Sequence, residues 1–507
     1  MAEIEAQAAK SSKLLEPTTS VNSKTVNSEL NTISAKVIEY FRDSDAILIT
    51  DPNELGIYID KAIEVGYCGI DCETTGLNRY RDKVVGFSLY YPGGVECYVP
   101  CRHMVPIFDE RRKNQMTLEQ AAPYLQCLVD GGVKLIFANA DFDLAMMYKD
   151  TGVDLTPAFY YDVILAWRCL KENEKRNGLK ELYHKYVLKS EGDPGKFTDF
   201  FTPSLFPYCD PEVAKLYAAN DAKITYELFM WQLPYLTKDN PKCMKNNLQQ
   251  VADLVWNVEF RLVEICQNLH RCGVYLEKPV ADQIGRRYGP LRDDELTKLQ
   301  NMVQEVADNP KYMTKTRKPW GKFTDFNPDS PKHVQYLCYD MLKLDGGKSK
   351  STDKAILGAF NLPITAQILK CRSLGVLINT FVDKLPKEVW SDNRVHCQFK
   401  QIGADTGRMS SADPNMQNIP SKSKDIRLMF RATPGYATEY NCSLDEDSIS
   451  VELYDYERVK TPAGTISVNS LSVGDQVILL NNKLEVIKNV QSMDNSCGNG
   501  RVCVTFI

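Results

Sequence analysis

Four carboxylates, an amide and a phenol fall in three short stretches of this 507-residue chain, in a spacing suited to holding metal ions. Asp71 and Glu73 stand two apart in VGYCGIDCE, a run that reads as a β-strand, so both side chains leave the same face. They lie at the strand's end, just before Thr74-Thr75-Gly76. Asn139 and Asp143 straddle a strand-to-helix junction, and Tyr217 and Asp221 are neighbours four apart on the helix PEVAKLYAANDAKITYELF. Oxygen-only ligands at a sheet edge suit Mg²⁺ or Mn²⁺. Two such ions, about 3.5–4 Å apart, can activate a water and stabilise the departing oxygen of a phosphodiester. A tyrosine hydroxyl can orient that water. Four carboxylates close together repel strongly unless cations sit among them. Taken singly the pieces are ordinary: a lone D-x-E on a strand is usually a solvated edge.

The elements that must position these groups read as an α/β domain over residues 36–235. KVVGFSLYY and VECYVP form a hairpin across Pro92-Gly93-Gly94, VKLIFANA reads as a buried strand, and a helix opens at Asp210-Pro211-Glu212 with an acidic cap and proline in its first turn. Residues 1–35, rich in Ser, Thr, Asn and Ala, read as a flexible tail. From Asn247 to Arg271 the pattern is one long helix closed by Gly273. Val251, Leu254, Val255, Val258, Leu262, Ile265 and Leu269 form its apolar stripe. Helical patterns continue to Lys387 and a loop-rich stretch to Gly435. Beyond Cys442 come short β-runs: VKTPAGTISV, GDQVILLNNKLEVIKNV and RVCVTFI.

The 43% hydrophobic and 25% charged content is that of a soluble globular chain. No run approaches the roughly 18 apolar residues of a membrane span, so no membrane association is expected. The first residues lack the basic and apolar regions of a secretory signal. The 16 cysteines are scattered without a C-x-x-C pair, as expected of reduced thiols in a cytoplasmic protein. A net charge of −5 gives no global attraction for nucleic acid, so any such contact must come from local patches. One candidate is Lys311, Lys315, Arg317, Lys318 and Lys322, interleaved with Tyr312, Trp320 and Phe323, although such loops are often merely solvated.

Taken as an ordered set, D-x-E-T-T-G-L, N-x-x-x-D and Y-x-x-x-D resemble the proofreading 3′→5′ exonuclease domain of the DnaQ-like (RNase H-like) superfamily. YYDVILAWRCL, with Asp162, resembles its "DT-x-x-A" helix, and GLKELYHKYV its "LK-x-L" helix. The resemblance implies an RNase H-like α/β fold acting on single-stranded 3′ DNA ends with two Mg²⁺ or Mn²⁺ ions. Asp71, Glu73 and Asp221 would hold the first ion and Asp71 and Asp143 the second. Tyr217 would position the attacking water, Asn139 would stand with the catalytic set, and Leu77 would pack on the terminal base.

VEFRLVEICQNLHRCGVY, FNPDSPKHVQYLCYDMLKL, STDKAILGAFNLPITAQILKCRSLG and QIGADTGRMSSADPNMQNIP resemble successive parts of family A (DNA polymerase I-like) polymerases. The last carries T-G-R-[LM]-S-S followed by P-N-x-Q-N-I-P, an order that a generic polar loop does not explain. This implies a mostly helical thumb and partial palm over 245–437, with primer-template duplex as partner. Arg408, Asn415, Gln417 and Asn418 would contact the duplex and Arg372 a backbone phosphate. Val376 stands where the family usually has lysine. After FRATPGY the family continues with a strand bearing a D-Y-S-x-x-E-type motif, where this chain reads ATEYNCSLDEDS. The expectation is therefore that the chain alone lacks a polymerase active site.

Residues 442–507 resemble the first β-segments of an intein (Hint-type) domain, in the pattern C-x-x-x-D-[ST]-x-[IV] then T-P-x-G-x-I-x-V-x-x-L-x-V-G-D. This implies Cys442 as nucleophile for an acyl shift at the Asn441–Cys442 peptide. The T-x-x-H motif that follows in inteins is not found, since all five histidines lie at or before His396. The resemblance then implies a split intein, or a degenerate remnant, with the other polymerase and intein half on another chain. A small β-rich insertion unrelated to splicing is the plain alternative. For the whole chain the alternative of a different class is a non-catalytic DNA-end-binding or partner-docking fragment, which the intact acids argue against.

Overall fold

The structure, a computed structural model, describes residues 23–106, 110–174, 177–312, 318–345, 350–403, 407–420 and 423–430, and beyond them the backbone of strands between 443 and 506. It divides into two compact units, one running to Cys272 and including Cys397–Asn415, the other comprising Gly273–His396 and the residues from Met416 onward. The division differs from the 36–235 and 245–437 boundaries expected from sequence. The helical run after 245 buries Ala252, Val255, Phe260 and Val263 in the same core as the sheet of the α/β domain, which ties it to the first unit.

In the first unit the elements in chain order are α1 (Ser23–Tyr40), β1 (Ile47–Leu48), α2 (Pro52–Val65), β2 (Tyr67–Thr74), β3 (Val84–Tyr90), β4 (Cys97–Pro100) and α3 (Leu118–Asp130). They continue with β5 (Lys134–Phe137), α4 (Ala140–Thr151), β6 (Phe159–Asp162), α5 (Val163–Leu170), α6 (Leu179–Tyr183) and α7 (Pro211–Gln232). The sheet order is β1-β4-β3-β2-β5-β6. β2, β3 and β4 form the antiparallel meander, while β1 pairs with β4, and β5 with β2 and β6, in parallel. The expected hairpin is present, with Leu89 opposite Cys97. Its strand β3 is buried almost throughout, as a central strand covered on both faces requires. α7 opens as expected at Asp210, whose carboxylate accepts the Glu212 N–H at 3.0 Å.

Two expectations for this unit are corrected. The stretch read as a tail is helical from Ser23. Leu30, Ile33 and Val37, spaced one helical face apart, are buried with Phe201, Phe206 and Ala214. The long helix is present as Gln249–Leu254 followed by Phe260–Cys272, and Gly273 follows it at φ 59°. Its apolar stripe is only in part the buried face: Val255 is buried and Val251 packs on the core, while Leu254, Val258, Ile265 and Leu269 are exposed. A wide turn at Val255–Glu259 shifts the helical phase there. The inward face includes polar groups that apolar counting passes over, with Gln401 bonding Glu259, Gln267 bonding Asp141 and His270 bonding the Cys397 carbonyl.

The second unit is largely helical: α8 (Lys278–Asp308), α9 (Pro331–Gln335), α10 (Lys354–Ala359) and α11 (Pro363–Val376), with a short ribbon of Val274–Tyr275 against Arg394–Val395. Leu299, Val303, Leu337, Leu357 and Ile368 form one of its cores. Trp320, read as a candidate stacking residue, belongs to this core at 6% exposure, edge-on to Phe326 and Tyr336. Lys315 and Arg317 of the same patch lie outside the described residues. The backbone between Ser443 and Phe506 forms a five-stranded antiparallel sheet and a separate hairpin, Arg458–Thr461 with Gly464–Ser467. No described helix is long and apolar enough to cross a membrane, and no disulfide joins the cysteines from Cys68 to Cys397.

Candidate metal centre

β2 and α7 are brought together by a missing side chain. A Cβ on Gly69 would lie 2.3 Å from the Ala222 carbonyl oxygen, so glycine alone lets the helix backbone rest on the strand. Asp221, one residue before that contact, is thereby carried over Asp71 and Glu73. Ligand oxygens of these three acids all lie within 4.8 Å of one another. β2 pairs with β5 only through Gly69, so both strand acids project past the end of the parallel pairing, where α/β sheets commonly bind ligands.

Asp143 joins them from α4. It is 3% exposed, and its Oδ1 accepts the Cys72 N–H at 3.1 Å, between the two strand acids in sequence. What fixes α4 is Asp162. Its carboxylate accepts four backbone N–H groups: Asn139 at 3.2 Å and Ala140 at 2.8 Å across the β5–α4 turn, and Ile164 at 2.8 Å and Leu165 at 3.0 Å as the cap of α5. Asn139 has a left-handed φ of 78°, a conformation asparagine tolerates, and its side chain makes no cap bond. Its place is the turn that presents Asp143; the acid cluster itself consists of Asp71, Glu73 and Asp221.

Burial is the leading reason that all four acids hold their protons more tightly than usual. Glu73 is pushed up to about 8 by burial and then by Asp221, and Asp143 up to about 7 by burial. Asp71 is raised well above the carboxylate range by burial and then by Asp143, and Asp221 is raised by burial. Lys180 works in the opposite direction on Asp71, Glu73 and Asp221. The donor set fits a hard divalent cation: it is all carboxylate oxygen, and the buried Asp221 Oδ1 has the Lys180 ammonium 2.9 Å away but no aligned hydrogen-bond donor. A divalent ion bound here would find its ligands in Asp71, Glu73 and Asp221. Such ions supply Lewis acidity and a nucleophilic water at neutral pH.

Tyr217 is 3% exposed, edge-on to Phe41, Phe200 and Phe201, with the Lys180 ammonium 3.2 Å from its ring centre. Leu77, by contrast, is 80% exposed. It rides on a loop gathered around Asp82, which accepts from the Thr75 hydroxyl at 3.0 Å and the Asn78 N–H at 2.7 Å. Lys180, Asp162, Asp82 and Gly69 do not stand out as site residues from sequence. Lys180 and Asp162 do fall in the matched "LK-x-L" and "DT-x-x-A" phrases, the signal that could have found them.

The expected DNA contacts distribute over both units. In the first, Arg408 and Asn415 are exposed, and Asn415 Oδ1 accepts the Ser411 hydroxyl at 3.2 Å. In the second, Gln417 and Asn418 are exposed. Arg372 instead turns onto its own unit, donating through Nε to the Pro328 carbonyl at 2.6 Å and through Nη1 to the Thr352 carbonyl at 2.5 Å. Cys442 lies outside the described residues.

Residues 46–231 match the sequence model of the family described as 3′–5′ exonuclease, and residues 296–453 that of DNA polymerase family A. A DNA polymerase I of Treponema pallidum is 27% identical over 432 residues, covering 76% of this chain and 40% of that protein. One from Helicobacter pylori is 39% identical over 207 residues, 40% of this chain and 21% of that protein. The chain thus spans less than half the length of these relatives. Among solved structures, the POL domain of Pol1 from M. smegmatis, in complex with DNA primer-template and dNTP, shares the fold with a TM-score of 0.54 at 18% identity. That match covers 80% of this chain and 61% of the other. The polymerase match also runs past the expected 437 limit, through residues 442–453 of the stretch that resembles an intein. Across these regions the chain is DNA polymerase I-like, a 3′–5′ exonuclease domain followed by part of a family A polymerase domain.

Proposed function

We propose that this chain is a divalent-metal-dependent 3′→5′ exonuclease on DNA. It would carry primer-template-binding elements of a family A polymerase and depend on a second chain for nucleotide addition, as a cytoplasmic protein. The observation that carries the nuclease reading is the convergence of Asp71, Glu73 and Asp221 within 4.8 Å on one partly buried, oxygen-rich face. In this reading the three acids bind the first Mg²⁺ or Mn²⁺ and Asp143 shares the second with Asp71. The Tyr217 hydroxyl orients the attacking water, Leu77 packs on the terminal base, and Arg408, Asn415, Gln417 and Asn418 follow the duplex. The test is degradation of 3′-labelled single-stranded DNA with Mg²⁺. The wild type is expected to shorten it and Asp71→Ala/Glu73→Ala to leave it intact; equal digestion by both, or by neither, sinks the assignment.

For the tail, the split-intein reading has Cys442 start ligation to a partner chain. A second reading is favoured by the polymerase match through residue 453. Asp447-Ser448-Ile449-Ser450-Val451-Glu452 places acids at the first and last positions of a D-Y-S-x-x-E-type pattern, so the stretch would be the polymerase's own strand. Mixing with the completing chain separates the two. A ligated band blocked by Cys442→Ala supports splicing. Two unjoined chains that extend a primer only while Asp447 is intact support the second reading.

A further inference from the structure

Lys180 stands in the carboxylate centre without having been placed in its chemistry. Its short helix is held on two sides, by a Glu181–Lys196 ion pair at 2.8 Å and by the Tyr183 hydroxyl on Glu227 of α7. Lys180, one residue before the first of these anchors, is buried at 6% exposure. Its Nζ lies 2.9 Å from Asp221 Oδ1 and 3.2 Å from the centre of the Tyr217 ring. This is a charge contact rather than a finished set of hydrogen bonds, because neither Lys180 Nζ nor Asp221 Oδ1 has an aligned partner. An ammonium has three donors to satisfy, and a buried one that leaves them unsatisfied is held weakly for its desolvation cost. One positive charge also falls short of what the four neighbouring acids call for, whereas a divalent ion brings two.

We propose that Lys180 is a built-in counter-ion that competes with the divalent metal for Asp221, neutralising the cluster before metal arrives and leaving both Asp221 and the face of Tyr217 when it binds. The inference rests on the metal-centre reading above. It goes beyond that reading by giving Lys180 an antagonistic role in metal affinity, which a merely structural lysine would not have.

The experiment is Mn²⁺ binding to the full chain without DNA, by titration calorimetry or by loss of the free-ion electron paramagnetic resonance signal. Lys180→Met is expected to bind Mn²⁺ about tenfold more tightly than wild type, to melt at lower temperature in chelator, and to gain more melting temperature from Mn²⁺. Lys180→Arg, which keeps the charge, should stay within about threefold of wild type. Unchanged or weaker affinity in Lys180→Met overturns the proposal while leaving the metal centre standing. Absence of stoichiometric Mn²⁺ binding in the wild type removes both. Should Lys180→Met fail to fold, acylation of wild-type lysines read by mass spectrometry tests the same exchange. Lys180 labelling rises on adding Mn²⁺ if the ammonium leaves its site, and unaltered labelling contradicts the proposal.

Discussion

In the first unit, acids from a strand and a helix face one another, and Asp162 tethers the turn that presents Asp143. In the second, Gln417 and Asn418 are exposed, and Arg372, expected to contact a backbone phosphate, is turned onto carbonyls of its own fold. A hydrolytic centre must be assembled before its ligand arrives, because misplacement by about 1 Å can cost on the order of a hundredfold in rate. On the proposed reading this is why Asp143 and Asp162 are held by backbone N–H groups. Residues that track a duplex can take their final positions from the DNA, since phosphate and groove contacts are numerous and individually modest. The two regions show where a fold spends its rigidity.

The comparison can be broken at each region's own anchor. Asp162→Ala removes the acceptor of four backbone N–H groups. It is expected to cost about 2–4 kcal/mol of first-unit stability, with a fall in 3′-end hydrolysis as Asp143 loses its support. A denaturant midpoint within error of wild type would show that the turn is fixed by something else. Arg372→Met is the matching change in the second unit, expected to cost about 1–3 kcal/mol there. If it instead weakened duplex binding with unchanged stability, the guanidinium would be a DNA contact after all. A pH slope probes the acids themselves. Glu73 and Asp143 are raised to about 8 and about 7, above their values near 4 in an unfolded chain. Between these limits the folded chain binds more protons than the unfolded one, so metal-free stability is greatest at the acidic end and declines as pH rises toward 8. Melting in chelator should show that decline, and saturating Mg²⁺ should flatten it; a rising profile in chelator would contradict the burial of these acids.

Much of the centre was legible in the sequence because its signals are local. Asp71 and Glu73 share a face by strand period, and Asp221 follows from a helix whose cap and proline are explicit. What escaped depends on long-range packing. Nothing local reveals that Gly69 exists to admit Ala222 from more than a hundred residues away, or that Lys180 is turned inward, since lysines on short helices are usually solvated. The stripe of Leu254, Val258, Ile265 and Leu269 misled because a single wide turn shifts the phase and because Glu259, Gln267 and His270 are buried with partners. Helix α1 was missed because Leu30, Ile33 and Val37, set among Ser, Thr and Asn, are a thin signal until Phe201 and Phe206 are there to receive them.

Anomalous diffraction from crystals of the chain equilibrated with Mn²⁺ decides whether the three acids of β2 and α7 form a divalent-ion site. A peak bonded to Asp71, Glu73 and Asp221, lost in Asp221→Ala, is the expected result. An ordered site with these carboxylates intact and no peak among them, or Mn²⁺ found only elsewhere, would contradict it.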